Sequence, residues 1–215
     1  MFCYQCQEAA GGTACTMRGV CGKDPDVAAL QDLLIYTLKG ISEIIVKGRI
    51  DVTTLGESNC EVLNSLFMTI TNANFDADSI EKQIRKMLEV RDDLRKSVSV
   101  KKPHDAVCFE TDSREEMLEK AKTAGIPMTA DEDMRSLREL IIYGLKGIAA
   151  YTEHANNIGS QNLEINKFIY EALAATLDDS LTADGLVSLA LKTGEYGVAA
   201  MALLDEANTG RFGNP

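Results

Sequence analysis

Proline is scarce, with four in 215 residues, and no run of low complexity occurs, which argues against a disordered tail. No apolar stretch reaches the roughly eighteen residues that a bilayer-spanning helix needs. The opening Met1-Phe2-Cys3-Tyr4-Gln5-Cys6 lacks the basic-then-apolar order of a signal peptide. Histidine is limited to His104 and His154, and there is no Ser-His-Asp order, no phosphate-binding glycine loop and no H-E-x-x-H. The expectation is a soluble, cytoplasmic protein with no membrane partner.

Acidic residues outnumber basic ones, giving a net charge of −11 that disfavours nucleic acid as a partner. The imbalance is uneven. Residues 1–23 hold Arg18 and Lys23 against Glu8 alone, a formal +1, so the remainder carries −12. Hydrophobic residues make up 45% of the chain, enough for one large domain or two small ones.

An internal repeat organises the chain. Leu30-Gln-Asp-Leu-Leu-Ile-Tyr-Thr-Leu-Lys-Gly-Ile41 returns as Leu137-Arg-Glu-Leu-Ile-Ile-Tyr-Gly-Leu-Lys-Gly-Ile148, with eight of twelve positions identical at an offset of 107. Such a period is too long for a solenoid and predicts a duplicated small bundle. The fold expected is all-α: tandem duplicated three-helix bundles behind an N-terminal cysteine-rich loop. The segments are 1–24 (cysteine-rich), 25–98 (first bundle), 99–130 (connector) and 131–215 (second bundle).

In the first unit, Asp24 is placed to cap a helix with Pro25 at its first position. Leu30, Leu34, Leu38, Ile41 and Ile45 then share one face, and Gly48 fits the end. A second helix is expected over 58–73. A third should start from a cap at Asp78, with Glu81 completing a capping box. In the second unit, Thr129 and Glu132 have capping-box spacing before a helix over 131–153. Helices near 160–178 and 183–207 follow, with small apolar runs that imply close packing. A short strand is conceivable between Val98 and Phe109. The repeated Tyr-x-Leu-Lys-Gly-Ile reads as a core stripe with one exposed lysine. The closing Gly213-Asn214-Pro215 reads as a turn leading onward.

Chemistry concentrates at the start. Four of the six cysteines, Cys3, Cys6, Cys15 and Cys21, fall within nineteen residues at C-x2-C-x8-C-x5-C spacing. Six cysteines in a cytoplasmic chain do not suggest a disulfide framework. Four thiolates suit either a cubane iron–sulfur cluster or structural zinc, and ligand type alone does not identify the metal. Two features favour iron. Four-cysteine zinc sites are commonly built from two C-x2-C knuckles, and one is present here. The helical scaffold also needs no metal staple. Electron transfer is the default role of such a cluster, with a structural cluster as the bland reading. Cys60 reads as a packed thiol. Cys108, four residues after His104, has no second ligand pair beside it.

Met1-Phe-Cys-Tyr-Gln-Cys-Gln-Glu8, Cys15-Thr-Met-Arg-Gly-Val-Cys-Gly-Lys23, Leu30-Gln-Asp-Leu-Leu-Ile-Tyr36 and Leu203-Leu-Asp-Glu-Ala-Asn208 together resemble the N-terminal part of the hybrid-cluster protein (prismane, or hydroxylamine reductase) family. The resemblance implies that Cys3, Cys6, Cys15 and Cys21 ligate a [4Fe–4S] cluster fed by a redox donor protein. It implies two further α/β domains carrying a hybrid iron–sulfur–oxygen cluster that reduces hydroxylamine to ammonia and water, and nitric oxide by some assignments. Those domains are not among these residues, so the role expected of this chain is electron entry without catalytic residues of its own. The alternative is a helical interaction module with a structural four-cysteine metal site.

Overall fold

The structure, a computed structural model, describes residues 1–214, without the side chain of Ala10. Among the described residues it is all-α, with eight α-helices, three short 3-10 turns and no strand. The helices are α1 (Pro25–Gly48), α2 (Glu57–Met68), α3 (Ala77–Ser97), α4 (Asp105–Cys108), α5 (Arg114–Ala124), α6 (Glu132–Asn157), α7 (Leu163–Ala175) and α8 (Ala183–Phe212).

Helix α1 is where sequence and structure agree most closely. Pro25 opens it, and Leu30, Leu34, Leu38, Ile41 and Ile45 are all buried; Asp24 stands at the cap position, but its side chain makes no capping hydrogen bond. It is buried on nearly every side, because α3, α4, α5 and α7 all pack on it. The second long seam is α6 against α8, with α2 on the other flank of α6.

The repeat units do not stand as separate bundles. The second helix of each unit crosses to the other: α2 lies mainly on α6, and α7 mainly on α1. A Tyr170–Asn59 hydrogen bond of 2.9 Å joins α7 to α2 inside the exchange. Periodicity marks which face of a helix is apolar but not which partner covers it, so a swapped pair satisfies the same pattern.

Several local expectations are corrected. Asp76, not Asp78, caps α3, accepting from the amides of Asp78 and Ser79 at 3.0 and 3.3 Å. Asp78 and Glu81 instead hold Arg114 of α5, Glu81 at 2.6 Å. Asp131, not Thr129, caps α6, accepting from the amide of Met134 at 2.8 Å. Each error has one cause: several acidic or hydroxyl residues precede these helices, and the caps go to the ones the entering backbone aligns. Helix α2 stops at Thr69, whose hydroxyl bonds back to the Leu66 carbonyl at 2.7 Å. The connector is helical, not strand, and α4 inserts against α1 with Ala106 and Val107 buried.

Helix α8 differs most from its sequence reading. Its buried residues are Leu186, Thr193, Ala200 and Ala207, one every seventh position, a narrow seam against α6. Val187, Leu191, Val198 and Met201 are exposed rather than core. By length and composition α8 is long and apolar enough to cross a membrane, and little of it is buried. No unbroken apolar run occurs there, yet small residues and few charges keep its mean hydropathy high.

Candidate metal centre

The cysteine-rich segment is an irregular loop with one 3-10 turn, Gln7–Gly11. The Ala9 amide bonds to the Cys6 carbonyl at 3.0 Å, and the Phe2 amide to the Cys15 carbonyl at 3.1 Å, so Cys15 is drawn beside the start of the chain. The Gly19 amide to the Lys23 carbonyl, 2.7 Å, closes the turn that carries Cys21. Gly12 and Gly22 take left-handed backbone at φ 65° and 93°, as does Cys15 at 53°. All four cysteines are free thiols, Cys3 and Cys15 half-buried, Cys6 and Cys21 exposed.

What lies beneath the loop was invisible in the sequence. Gln5, the inner residue of the C-x2-C pair, is buried and held at both ends. Its side-chain oxygen accepts from Lys146 Nζ at 2.7 Å, and its carbonyl accepts from Thr71 Oγ1 at 3.1 Å. Lys146 Nζ also donates to the Thr69 carbonyl at 3.0 Å. At the far end of the loop Lys23 is fully buried and donates to Gln31 Oε1 at 2.7 Å. Gln31 in turn donates to the Asn74 carbonyl at 3.0 Å. Two buried ammonium groups therefore anchor the loop.

Lys146 corrects the reading of the repeated motif, whose lysine was expected to be exposed. It is 2% exposed, and its repeat partner Lys39 is half-buried. Asp32 and Glu139 are related by the same offset of 107, so each of α1 and α6 carries a carboxylate with a lysine seven residues after it. Asp32 feels Lys146, and Glu139 feels Lys39, across the helix pair. Burial pushes the Asp32 carboxyl up to about 7 against the pull of Lys146. Burial likewise draws Lys146 down to about 8, opposed by Asp32 and Glu139. The Cys3 thiol is raised by burial, countered by the Gln5 backbone and the Lys23 charge. Sequence reasoning missed this quartet because a carboxylate and a lysine seven apart look like any solvated helix face.

The donor chemistry fits a thiolate-bound cluster: four free thiols on one short loop above buried positive charge. Among the described residues no three His, Cys, Asp or Glu side chains are gathered tightly enough to hold a metal ion. The other candidates have different tasks. His104 Nδ1 accepts from the Ala106 amide at 3.1 Å and caps α4, which leaves Cys108 beside a capping group. Cys60 is half-buried near Asn156, with its thiol raised by burial. Tyr36 is buried and donates to Asp105 Oδ2 at 2.6 Å, whereas its repeat partner Tyr143 is exposed. Asp32, Lys39, Tyr36, His104, Arg138 and Glu139 line a polar cleft of about 390 Å³ between α1, α4 and α6.

An all-α scaffold of duplicated helices carrying a four-thiol loop is the class of protein these features define. The chain matches the prismane/CO dehydrogenase family over residues 1–215, and it belongs to that family. It is 68% identical over all of its length to a hydroxylamine reductase of Acetivibrio thermocellus, covering 40% of that protein. It is 50% identical to a hydroxylamine reductase of Clostridium tetani and 49% identical to one of Clostridium perfringens, covering 43% and 40% of them. The chain thus spans about two-fifths of the length of these curated relatives and corresponds to their N-terminal part.

Proposed function

We propose that Cys3, Cys6, Cys15 and Cys21 bind a [4Fe–4S] cluster, and that this domain is the electron-entry part of a hydroxylamine reductase. The single observation that carries the reading is the complete set of four free thiols on a loop seated over the buried Lys23 and Lys146. A thiolate-ligated cubane is anionic and gains charge on reduction, and buried ammonium groups beneath it favour that state. The relatives' name supplies the substrate, hydroxylamine.

When bound, the cluster supplies one-electron storage. The chain's own residues orient the thiols and shield the inner side of the loop from water: Gln5 and Lys23 are buried, and Cys6 and Cys21 face outward. Met17 and Val20 project beside them, 87% and 67% exposed, an apolar rim suited to a redox donor protein. Substrate reduction, and any hybrid iron–sulfur–oxygen cluster, belong to the longer protein.

Strictly anaerobic purification tests the reading. The expected result is about four irons and four sulfides per chain, with broad visible absorption that bleaches on reduction. A colourless protein holding stoichiometric zinc would favour the helical interaction module with a structural metal site.

A further inference from the structure

The tie between the loop and the scaffold is made by a residue type that is costly there. A glutamine or asparagine could bridge Gln5 Oε1 and the Thr69 carbonyl without burying a charge. The structure instead brings a lysine to that point from α6, 141 residues further along the chain than Gln5, and buries it to 2% exposure. Asp32 and Glu139 offset part of its desolvation, and the Cys3 sulfur lies within its electrostatic reach.

The duplication supplies an internal control. Lys39 occupies the same repeat position on α1. Thr176 ends α7 as Thr69 ends α2, each hydroxyl bonding a carbonyl three residues back at 2.7 Å. Yet no cysteine-bearing loop covers that side, which is bordered instead by connector residues such as Gly125, Ile126 and Thr129. Lys39 and Thr176 open onto the polar cleft, and among the described residues no hydrogen bond is made by the Lys39 ammonium. The same helix written twice thus holds a cysteine loop at one lysine and none at the other.

We propose that Lys146 is the positioning residue of the cluster loop: its ammonium fixes the C-x2-C segment through Gln5 and keeps a positive charge on the Cys3 side of the cluster. The charge half of this assignment rests on the [4Fe–4S] reading. The positioning half does not, because the tie is made between protein atoms alone.

The experiment has two arms. In the metal-free chain, hydrogen–deuterium exchange of residues 1–12 is compared among wild type, Lys146→Met, Gln5→Met and Lys39→Met, with far-UV circular dichroism confirming the helices. Lys146→Met and Gln5→Met should speed exchange there about tenfold or more, the scale of a lost charge-assisted hydrogen bond, and Lys39→Met should not. Gln5→Met cuts the tie from the loop side, so the test survives if Lys146→Met fails to fold. In anaerobically loaded protein, an EPR-monitored titration should place the Lys146→Met midpoint below wild type by about a tenfold change in the reduction equilibrium, 59 mV for one electron. Lys39→Met should leave the midpoint near wild type. Wild-type exchange in Gln5→Met, or equal effects of Lys146→Met and Lys39→Met, overturns the positioning role. An unmoved midpoint in Lys146→Met overturns the charge role. If wild type itself takes up no iron, the cluster reading fails and the charge role with it, while the exchange arm still judges the tie.

Discussion

Gly40 and Gly147 occupy the same place in the repeated Tyr-x-Leu-Lys-Gly-Ile, yet the fold gives them opposite surroundings. A Cβ built on Gly40 would stand 2.2 Å from the Ala106 carbonyl oxygen and 2.6 Å from its carbon. That obstacle is the backbone of α4, which cannot rotate aside. A Cβ on Gly147 meets nothing within 4 Å. In a helix interior alanine is preferred over glycine by about 1 kcal/mol, so Gly147→Ala should stabilise by about 0.5–1 kcal/mol. For Gly40→Ala the same gain is outweighed by overpacking. Moving α4 off α1 also strains the Arg91 Nη1 contact to the Ala106 carbonyl, 3.4 Å, and the Tyr36–Asp105 bond, 2.6 Å. The net loss should be about 2 kcal/mol or more. For a chain of this length that corresponds to a fall in Tm of about 4–8 °C, against a rise of about 1–4 °C for Gly147→Ala. Thermal unfolding followed by circular dichroism measures both. Two glycines that respond alike, in either direction, would refute the close approach of α4 to α1.

Cys15→Ser should abolish visible absorption from the cluster while leaving most far-UV helical signal, because the apolar faces from α1 onward pack without the loop; global unfolding of this variant would show that metal holds the domain together, as in a zinc finger. Asp32→Asn should flatten the pH dependence of stability. With its carboxyl raised to about 7, folded Asp32 keeps a proton that the unfolded chain releases near pH 4, so wild-type stability should fall as pH rises through that window. Urea midpoints at about pH 4.5 and about pH 7.5 measure the fall, and an equal fall in Asp32→Asn refutes the assignment. These 215 residues, loaded with cluster, should show no hydroxylamine turnover with a reduced dye, because four thiolates leave a cubane no open position for substrate; turnover abolished by changing Cys3 or Cys21 would place the reaction centre in the loop itself.

The sequence by itself determined the all-α class, the span of α1, the duplication at an offset of 107 and the gathering of four cysteines on one loop. These are local or periodic properties, carried by side-chain spacing along one helix or one loop. Only the tertiary structure decided that α2 and α7 exchange partners, that Asp76 and Asp131 are the caps, and that Val187, Leu191, Val198 and Met201 of α8 face outward. It also decided that of two lysines with the same neighbours in sequence, Lys146 is buried under the cysteine loop while Lys39 opens on a cleft. A repeat duplicates the helix but not what packs on it, and burial, hydrogen bonding and charge are set by those neighbours.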